Sequence, residues 1–476
     1  MTGEIIRKQK EFFLSGKTLS VEYRKKYLSS LRKNILSMGD MIAAALREDL
    51  GKCRAEAYMT ETGMCLSELS HALKNIRRWS RPRKVHTAPA QFPARSRIIP
   101  EAYGNVLIMS PWNYPFLLCI SPLVSAIAAG NTAVIKPSAY APATSAAVRE
   151  LISRTFPEEY VTVIEGGRDV NTDLLEQKFD YIFFTGSKNV GRTVMEKASA
   201  HLTPVTLELG GKSPVIVTPS ADITVSAARI VSGKFLNCGQ TCVAPDYILV
   251  HESVAGRFTG ACITKIREMY GERPLENPDY GKIISIKHFK RLENILHECA
   301  TDEGHGASGH ADRCHMVAGG ETDEGALRIA PAIIRLGDIS DPEWDRLKIM
   351  QEEIFGPLMP ILTYRDMDDA INYIRSHPEP LATYIFTKDR TEKKRLLTCL
   401  RFGGGCVNDT IIHLASGKLP FGGTGESGMG QYHGKYGFET FSHFKSIVDK
   451  PFFPDIPIRY QPYTAFKERL IKMFLK

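Results

Sequence analysis

Residues 104–138 read GNVLIMSPWNYPFLLCISPLVSAIAAGNTAVIKPS, and this segment decides the fold. The short apolar run after Gly104 predicts a buried strand, the long apolar stretch 116–129 predicts a buried helix, and NTAVIKPS from Asn131 predicts the next strand. A strand that leads through a helix into another strand forms a right-handed crossover between parallel neighbours. The segment therefore predicts a parallel sheet covered by helices.

The same alternation continues towards the carboxyl end of the chain. Further strands are predicted at VTVIEGG from Val161, YIFFTGS from Tyr181 and PVTLELGGKSPVIV from Pro204, with helices near residues 142–155, 170–178 and 190–201. After Asp222 a second series of helices and strands runs to Asn408. We therefore predict an α/β protein with two doubly wound domains that face each other across a cleft, with ligands at the strand carboxyl ends.

Other segments do not follow this alternation. Residues 27–50 carry apolar side chains at helical spacing, and a second helical pattern leads to Trp79. Residues 80–100 are rich in proline and arginine, which predicts a loop or an edge hairpin and an oligomer contact. Residues 463–476 are basic and amphipathic, so we expect weak contact with a membrane surface or packing on a partner or on the protein itself.

Residues 299–320 hold several glycines and few apolar residues, which predicts a surface loop. Histidines and a cysteine in and beside it raise the alternative of a metal site, with candidates His297, His305, His310, Cys314 and His315. Their spacings match none of the regular zinc patterns. We therefore predict no metal here.

Composition limits the class of protein. The chain has 476 residues, of which 43% are hydrophobic and 24% charged, as expected for a soluble globular protein of two or three domains. The net charge of +8 is spread along the chain without a basic arm, which argues against nucleic acid as a partner. Ten cysteines without a CxxC pair and an amino terminus without a secretion signal predict the cytoplasm. Residues 116–129 are too short a run to span a membrane.

Three residues are candidates for chemistry. The stretch LNCGQTCVAP, residues 236–245, follows an apolar helical pattern and contains Gly239, so Cys242 is expected on a bend, where it is either a nucleophile or a small buried side chain. Glu208 ends a strand before two glycines and is either a general base or a partner in an ion pair. Asn113 follows the first strand and either donates to an oxyanion or stabilises a turn.

Two strand ends suit a phosphate-bearing ligand. Thr185-Gly186-Ser187 ends a strand and leads into a helix that contains Gly191, which offers free N–H groups and the positive end of a helix dipole. The spacing matches neither GxGxxG nor the P-loop, and an ordinary helix cap is the alternative. Lys136 ends the strand NTAVIKPS, where it either binds ribose or phosphate or is a plain surface lysine.

These segments together resemble the aldehyde dehydrogenase superfamily over almost the whole chain. The resemblance lies in PWNYP at 111, KPS at 136, FFTGS at 183, LELGGKSP at 207, NCGQTC at 237, QEEIFGP at 351 and LPFGGTGESGMG at 419. The class-three branch, which acts on fatty and aromatic aldehydes, is most similar, through GQTCVAPDYIL and GMGQYHGKYGFETFSH. The resemblance implies oxidation of an aldehyde to a carboxylic acid with NAD or NADP.

The resemblance also implies roles for individual residues. Cys242 would attack the aldehyde to form a thiohemiacetal and then a thioester, Asn113 would hold the oxyanion, and Glu208 would activate the hydrolytic water. The residues implied to bind the cofactor are Trp112, Lys136, Ser138, Gly186, Ser187, Gly191, Glu353 and Phe355. The substrate tunnel would be lined around Tyr114, Leu118, Val243 and residues 411–413.

The resemblance further implies a division of the chain. Residues 1–79 and 98–207 would form a Rossmann-like dinucleotide-binding domain, and residues 208–415 the catalytic domain. Residues 80–97 and 416–450 would form a small β element for bridging or oligomerisation, followed by a tail of residues 451–476. We expect a homodimer, because residues 80–100 and the strand near 441–448 look like exposed edges.

The sequence departs from the family pattern at a position that bears on the cofactor. Members selective for NAD have a glutamate after the lysine segment, where this chain has Ala139, so we predict that NADP is accepted alongside NAD. The 299–320 segment is also longer than usual, and Cys238 is a passive thiol or a partner for Cys242 under oxidation. Two alternatives remain open: a coenzyme-A-acylating dehydrogenase, which Glu208 argues against, and a non-catalytic protein on the same fold.

Overall fold

The computed structural model describes residues 2–300 and 314–475. In the described part of the chain the strands are β1 Arg83–Val85, β2 Arg95–Ala102, β3 Asn105–Met109, β4 Thr132–Lys136, β5 Val161–Val163, β6 Tyr181–Gly186, β7 Val205–Leu209, β8 Pro214–Val217, β9 Tyr247–His251, β10 His315–Ala318, β11 Thr322–Asp323, β12 Arg328–Ile329, β13 Ala332–Asp338, β14 Leu358–Tyr364, β15 Ala382–Phe386, β16 Gly404–Val407, β17 Gly428–Met429 and β18 Ser442–Asp449. The α-helices there are α1 Thr2–Leu14, α2 Val21–Ser37, α3 Gly39–Leu50, α4 Arg54–Ala57, α5 Gly63–Trp79, α6 Leu117–Ala129, α7 Pro142–Thr155, α8 Arg168–Glu176, α9 Lys188–Ser199, α10 Ile223–Phe235, α11 Glu252–Tyr270, α12 Ile286–Ala300, α13 Lys348–Gln351, α14 Met367–Arg375, α15 Arg390–Cys399, α16 Gly434–Thr440 and α17 Ala465–Phe474.

The first sheet contains the two strands of the segment 104–138. Its described strands lie in the order β17-β7-β6-β3-β4-β5, and all neighbours are parallel except β17, which runs antiparallel to β7. Every residue of β3, β4 and α6 is buried. Helices cover both faces of a parallel sheet, so its central strands contain apolar residues without alternation.

A second sheet has the same character. Its described strands lie in the order β10-β13-β14-β9-β8-β15-β16, parallel apart from the edge strand β10. The prediction of two doubly wound α/β units is thus confirmed.

A small antiparallel sheet, β1-β2-β18, stands apart, and β18 pairs with β2 along its whole length. It confirms the predicted small β element. The segment 416–450 also supplies β17 to the first sheet, so it joins both structures.

Two sequence expectations need correction. The helical pattern predicted over residues 27–50 is two helices, α2 and α3, because the backbone leaves the helical conformation at Met38 although the apolar spacing continues. The predicted loop 299–320 ends in β10, whose partly buried Met316 pairs with Ile334 of β13. Residues 301–313 of that segment, with His305 and His310, lie outside the described residues.

Residues 116–129 are the buried helix that the sequence predicts, present as α6. Among the described residues, none of the helices combines the length and the apolar character needed to cross a membrane.

Candidate active site

Cys242 lies on the turn between α10 and β9, as predicted. Before it the backbone passes through left-handed conformations at Asn237, Cys238 and Gly239. A side chain at Gly239 would place its Cβ 2.2 Å from the backbone oxygen of Gly356, so only glycine fits. This close approach fixes the turn that carries the thiol.

Two cavities meet at this turn. One has a volume of about 200 Å³ and a mostly apolar lining, and the other, of about 310 Å³, extends over the carboxyl ends of β6 and β7. Four residues line both cavities: Thr185, Glu208, Leu209 and Cys242. Two ligands, one in each cavity, would therefore meet beside the Cys242 thiol and the Glu208 carboxyl group.

The Glu208 side chain is only 3% exposed, and neither of its carboxyl oxygens has a hydrogen-bond partner among the described residues. Burial raises the pKa of this carboxyl well above its ordinary value. A buried polar group without partners is unfavourable, and such groups occur where a ligand or water supplies the missing bonds. Glu208 is therefore not tied in an ion pair; it holds its proton in this form of the protein and acts as a base once that proton is lost.

Replacing Glu208 by glutamine is expected to stabilise the protein more as the pH rises. Because burial raises the folded-state pKa, the native protein binds one more proton than the unfolded chain above pH 4.5, so its free energy of unfolding falls with rising pH. Glutamine lacks this effect, and the difference between the two proteins should grow by at most about 1.4 kcal/mol per pH unit. Urea unfolding at several pH values measures it.

The partly exposed Glu343, paired with Arg346 at 2.7 Å, provides the control Glu343→Gln for loss of a carboxylate elsewhere. If the Glu208→Gln difference does not change with pH, the carboxyl group is not held neutral by burial.

The Cys242 thiol is half-buried in the wall of both cavities. Burial first, and then the Glu353 and Glu208 carboxyl groups, raise its pKa to about 12, whereas hydrogen bonds from backbone N–H groups of Cys242 and Val243 lower it. The thiol therefore keeps its proton at neutral pH in this form of the protein, and a base or a ligand is needed to activate it.

Asn113 approaches the thiol from the first sheet. Its Nδ2 donates one hydrogen bond to the backbone oxygen of Gln240 at 3.1 Å, and an amide nitrogen carries a second N–H. Its backbone oxygen accepts hydrogen bonds from Asn237 Nδ2 at 2.8 Å and from Lys52 Nζ at 3.3 Å. The loop between β3 and α6 is thus tied directly to the turn that carries Cys242.

A fully buried ion pair supports that loop from the amino-terminal helices. Lys52 Nζ lies 2.5 Å from Glu61 Oε1, and both side chains are inaccessible to solvent. The other Glu61 oxygen accepts hydrogen bonds from the backbone N–H groups of Phe116 and Leu117, each at 3.0 Å, at the start of α6. Sequence reasoning missed both residues, because nothing in their spacing links them to Asn113.

The larger cavity gathers most of the residues predicted to bind a cofactor. Trp112, Gly186, Ser187, Glu353 and Phe355 all line it. The rings of Trp112 and Phe355 stand nearly perpendicular with centroids 5.2 Å apart. Ser187 occupies the N-cap position of α9 but makes no capping hydrogen bond, so the helix start is open to an anion.

Glu353 faces the same cavity through a close backbone approach. A Cβ at Gly210 would lie 1.9 Å from its Oε2, and its Oε1 has no partner among the described residues. Burial, followed by the neighbouring Asp246, raises the pKa of Glu353 to about 8. This carboxyl group can therefore bind a hydroxyl group of a ligand.

Three predicted residues lie apart from the cavity wall. Lys136 and Ser138 follow the end of β4, where the buried Lys136 Nζ donates to the backbone oxygen of Pro137 at 2.8 Å. Gly191 lies in α9 and packs on Leu209, where a Cβ would be 2.7 Å from the leucine side chain. Gly191 thus lets the helix approach β7.

Sequence reasoning missed two cavity residues from α12, His288 and Arg291. The His288 ring lies 4.8 Å from that of Trp112, and burial lowers its pKa to about 4, so it is neutral at pH 7. Their position in an amphipathic helix distant in sequence from the other motifs gave no signal.

The smaller cavity contains most of the predicted tunnel. Tyr114, Leu118, Val243, Ile411 and Ile412 line it, together with residues that the sequence did not indicate, which include Met59, Met64, Leu236 and Phe421. His413 is not in this wall. Its Nδ1 lies 3.6 Å from Cys406 Sγ.

Comparison with known sequences shows the family to which this chain belongs. Residues 2–447 match the model of the aldehyde dehydrogenase family. The chain is 46% identical to 4,4'-diaponeurosporen-aldehyde dehydrogenase of Staphylococcus aureus, over 98% of this chain and 97% of that protein. It is 42% identical to aldehyde dehydrogenase family 3 member H1 of Arabidopsis thaliana, over 99% and 94% of the two chains.

Solved structures show the same fold. The substrate-bound state of Staphylococcus aureus AldH superimposes with a TM-score of 0.94 at 45% identity and covers 100% of both chains. Glyceraldehyde-3-phosphate dehydrogenase of Methanocaldococcus jannaschii with NADP gives 0.82 at 26% identity, covering 94% of each chain. An indole-3-acetaldehyde dehydrogenase with NAD+ gives 0.83 at 25%, covering 94% of this chain and 89% of that one.

Proposed function

Because this chain belongs to the aldehyde dehydrogenase family, and so oxidises aldehydes with NAD or NADP, we propose that the reaction takes place on Cys242 where the two cavities meet. The observation that carries the proposal is the shared wall, which holds one thiol and one buried carboxyl group without a partner among the described residues. The apolar cavity would take the aldehyde and the larger cavity the cofactor.

In the first step Cys242 releases its proton to solvent and, as the thiolate, attacks the carbonyl carbon and forms a thiohemiacetal. The carbonyl oxygen gains negative charge, and the free Nδ2 N–H of Asn113 and the backbone N–H of Cys242 are proposed to donate to it. Each such donor contributes on the order of 3 kcal/mol to transition-state stabilisation in other enzymes. The ties from Gln240 and Lys52 keep Asn113 in place for this role.

The second half of the reaction needs Glu208. When bound, NAD or NADP supplies the acceptor for the hydride whose loss converts the thiohemiacetal to a thioester. Glu208, as the carboxylate, then takes a proton from a water molecule, whose oxygen attacks the thioester. The carbon–sulfur bond breaks, the carboxylic acid leaves, and Cys242 is restored.

The residues of the larger cavity fit a dinucleotide. Trp112 and Phe355 offer aromatic surface, the open start of α9 at Ser187 suits the pyrophosphate, and Glu353 has an oxygen free to accept from a ribose hydroxyl. We propose that Lys136 and Ser138, at the end of β4, hold the adenosine ribose. Gly186 and Gly191 would allow the end of β6 and the helix α9 to approach the dinucleotide closely.

We propose fatty or aromatic aldehydes as substrates. The apolar cavity, which includes Met59, is lined almost entirely by apolar and aromatic groups. The Staphylococcus aureus relative is named for 4,4'-diaponeurosporen-aldehyde, and that name supports an aldehyde as the substrate of this chain.

The proposal is tested by following reduced-cofactor absorbance after an aldehyde is added, with and without coenzyme A. We expect turnover to free acid that does not depend on coenzyme A. Turnover only with coenzyme A would indicate the acylating alternative, which Glu208 opposes. If neither medium-chain nor aromatic aldehydes cause any increase in reduced-cofactor absorbance, the protein is non-catalytic.

Comparable kcat/KM with NAD and NADP is expected, because the exposed Ala139 offers no carboxylate to repel a 2′-phosphate. The variant Ala139→Glu should lower kcat/KM with NADP by roughly tenfold and spare NAD, since a like charge beside the phosphate costs about 1.4 kcal/mol. Ala200→Glu, at the exposed far end of α9, is the matched control. A strong NAD preference in the unmodified protein would refute the expectation.

We also propose a homodimer that forms at the small sheet. The strand β18 pairs with β2 on one side and has no other neighbouring strand in the described parts of the chain. Phe444 and Val448 of this strand are exposed, as suits an edge that is covered by a second copy. Light scattering should give twice the mass of one chain, and Val448→Pro should yield the monomer.

We propose that the chain is divided into four units. These are a dinucleotide-binding domain of residues 1–79 and 98–207, a catalytic domain of residues 208–415, a bridging element of residues 80–97 and 416–450, and a tail of residues 451–476.

We also propose a cytoplasmic location, which the ten free cysteines support. We propose weak membrane-surface contact through the tail, in which Phe452 and Phe453 are exposed and α17 carries basic residues. Sedimentation with anionic vesicles, with and without residues 451–476, tests this contact.

A further inference from the structure

A third cavity, of about 320 Å³, lies beside the apolar one and has a more polar lining. Its polar side chains are those of Ser67, Glu68, His71, Ser121, Ser416, Lys418 and His433. Five residues line both this polar cavity and the apolar one: Met64, Leu117, Leu414, Ala415 and His433. The polar cavity therefore shares a wall with the space that takes the aldehyde.

Ser121 in α6 is 1% exposed, and its hydroxyl has no hydrogen-bond partner among the described residues. Leaving such a hydroxyl unpaired destabilises the folded protein. Alanine would fill the same place in the helix without that cost. The hydroxyl is therefore best explained by a group that enters the polar cavity and bonds with it.

Glu68 supplies a second polar group in the same wall. The side chain is 6% exposed, and its Oε1 accepts a hydrogen bond from the backbone N–H of Gly434 at 2.7 Å. Its Oε2 lies 3.7 Å from Nδ1 of the buried His433, beyond hydrogen-bond length. One carboxylate oxygen is thus anchored and the other has room for a donor.

We propose that the polar cavity is the distal end of the substrate passage and binds a hydroxyl group at the far end of an unbranched aldehyde. That hydroxyl would donate to Glu68 Oε2 and accept from the Ser121 hydroxyl, while the alkyl chain lies along the shared apolar wall. This inference rests on the proposed aldehyde oxidation and narrows its substrate class to ω-hydroxy aldehydes.

The charges of the polar cavity favour a neutral hydroxyl over an ion. A terminal carboxylate would be attracted by Lys418 but repelled by Glu68, and a terminal ammonium would be attracted by Glu68 but repelled by Lys418. Either ion would also lose its hydration on entering. A hydroxyl both donates and accepts, so it satisfies Glu68 and Ser121 together.

The test compares kcat/KM for a homologous series of unbranched alkanals with the same series carrying a terminal hydroxyl, amine or carboxylate. We expect one chain length at which the hydroxyl compound is preferred over the plain alkanal by about tenfold, the effect of one well-made hydrogen bond to a charged group. Equal kcat/KM at every length, or preference for the amine or carboxylate, would overturn the proposal. Inactivity with all aldehydes would instead contradict the proposed function.

Variants of the two proposed hydrogen-bonding residues test where the terminal hydroxyl of the substrate binds. Ser121→Ala and Glu68→Gln should each reduce the ratio of kcat/KM between the hydroxyl and plain substrates towards one, and the introduced glutamine can still accept from the backbone N–H of Gly434. Ser125→Ala, one turn further along the buried face of α6 and outside both cavity walls, should keep the wild-type ratio. An unchanged ratio in Ser121→Ala would place the hydroxyl elsewhere and refute the assignment.

Discussion

Replacing Cys242 by alanine is expected to abolish aldehyde oxidation, with kcat lower by roughly a million-fold, the loss seen when a protease loses its nucleophile. No other thiol lines the shared wall of the two cavities in the described residues. Because Cys242 is one of many residues around the larger cavity, cofactor affinity should change little. Steady-state turnover and cofactor titration by fluorescence measure the two quantities separately.

The matched control is Cys238→Ala, the same chemical change four residues earlier. Cys238 is buried in the core beside Tyr280, and burial raises its pKa, so it is expected to act only in packing. Its loss should reduce stability slightly and leave kcat near the wild-type value. Retained turnover in Cys242→Ala would remove Cys242 from the proposed mechanism. Loss of turnover in Cys238→Ala would instead contradict the assignment of Cys238 to packing alone.

Replacing Glu208 by glutamine should separate the two halves of the reaction. Glutamine has nearly the same shape but accepts no proton, so thioester hydrolysis should slow by roughly a thousandfold, the usual contribution of a general base. Formation of the thioester uses other groups and should persist. We therefore expect a rapid burst of reduced cofactor, about one per active site, followed by slow turnover.

Mass spectrometry after the burst should find the acyl group on the peptide that contains Cys242. Glu343→Gln, which removes a partly exposed carboxylate away from both cavities, should show no burst. Slow turnover of Glu208→Gln without a burst would mean that Glu208 acts before the thioester forms. Fast turnover would mean that another group activates the water.

The fold was predictable because parallel sheets are buried on both faces. The strands β3 and β4 therefore appear in the sequence as apolar runs, and the helix between them is apolar on every side. The residues at the meeting of the cavities were predictable for a related reason, since ligands gather at the carboxyl ends of such strands. Glu208 and Ser187 occupy those ends.

What the sequence did not indicate depends on contacts between distant segments. The break between α2 and α3 at Met38 is hidden because apolar spacing continues through it. His288 comes from a helix far along the chain, and His413 turns towards Cys406 rather than into the apolar cavity. Periodicity describes one element at a time and does not report which elements meet.

The buried Lys52–Glu61 pair has a consequence for the way the enzyme can be divided. Every residue proposed to react lies beyond Ser110, so a fragment that begins at the first sheet would retain all of the reacting groups. It would still lack the carboxylate that caps α6 and the ammonium that bonds to the Asn113 carbonyl. The amino-terminal segment therefore positions the loop that carries Asn113, and its removal should leave the proposed nucleophile in place with a misaligned oxyanion donor.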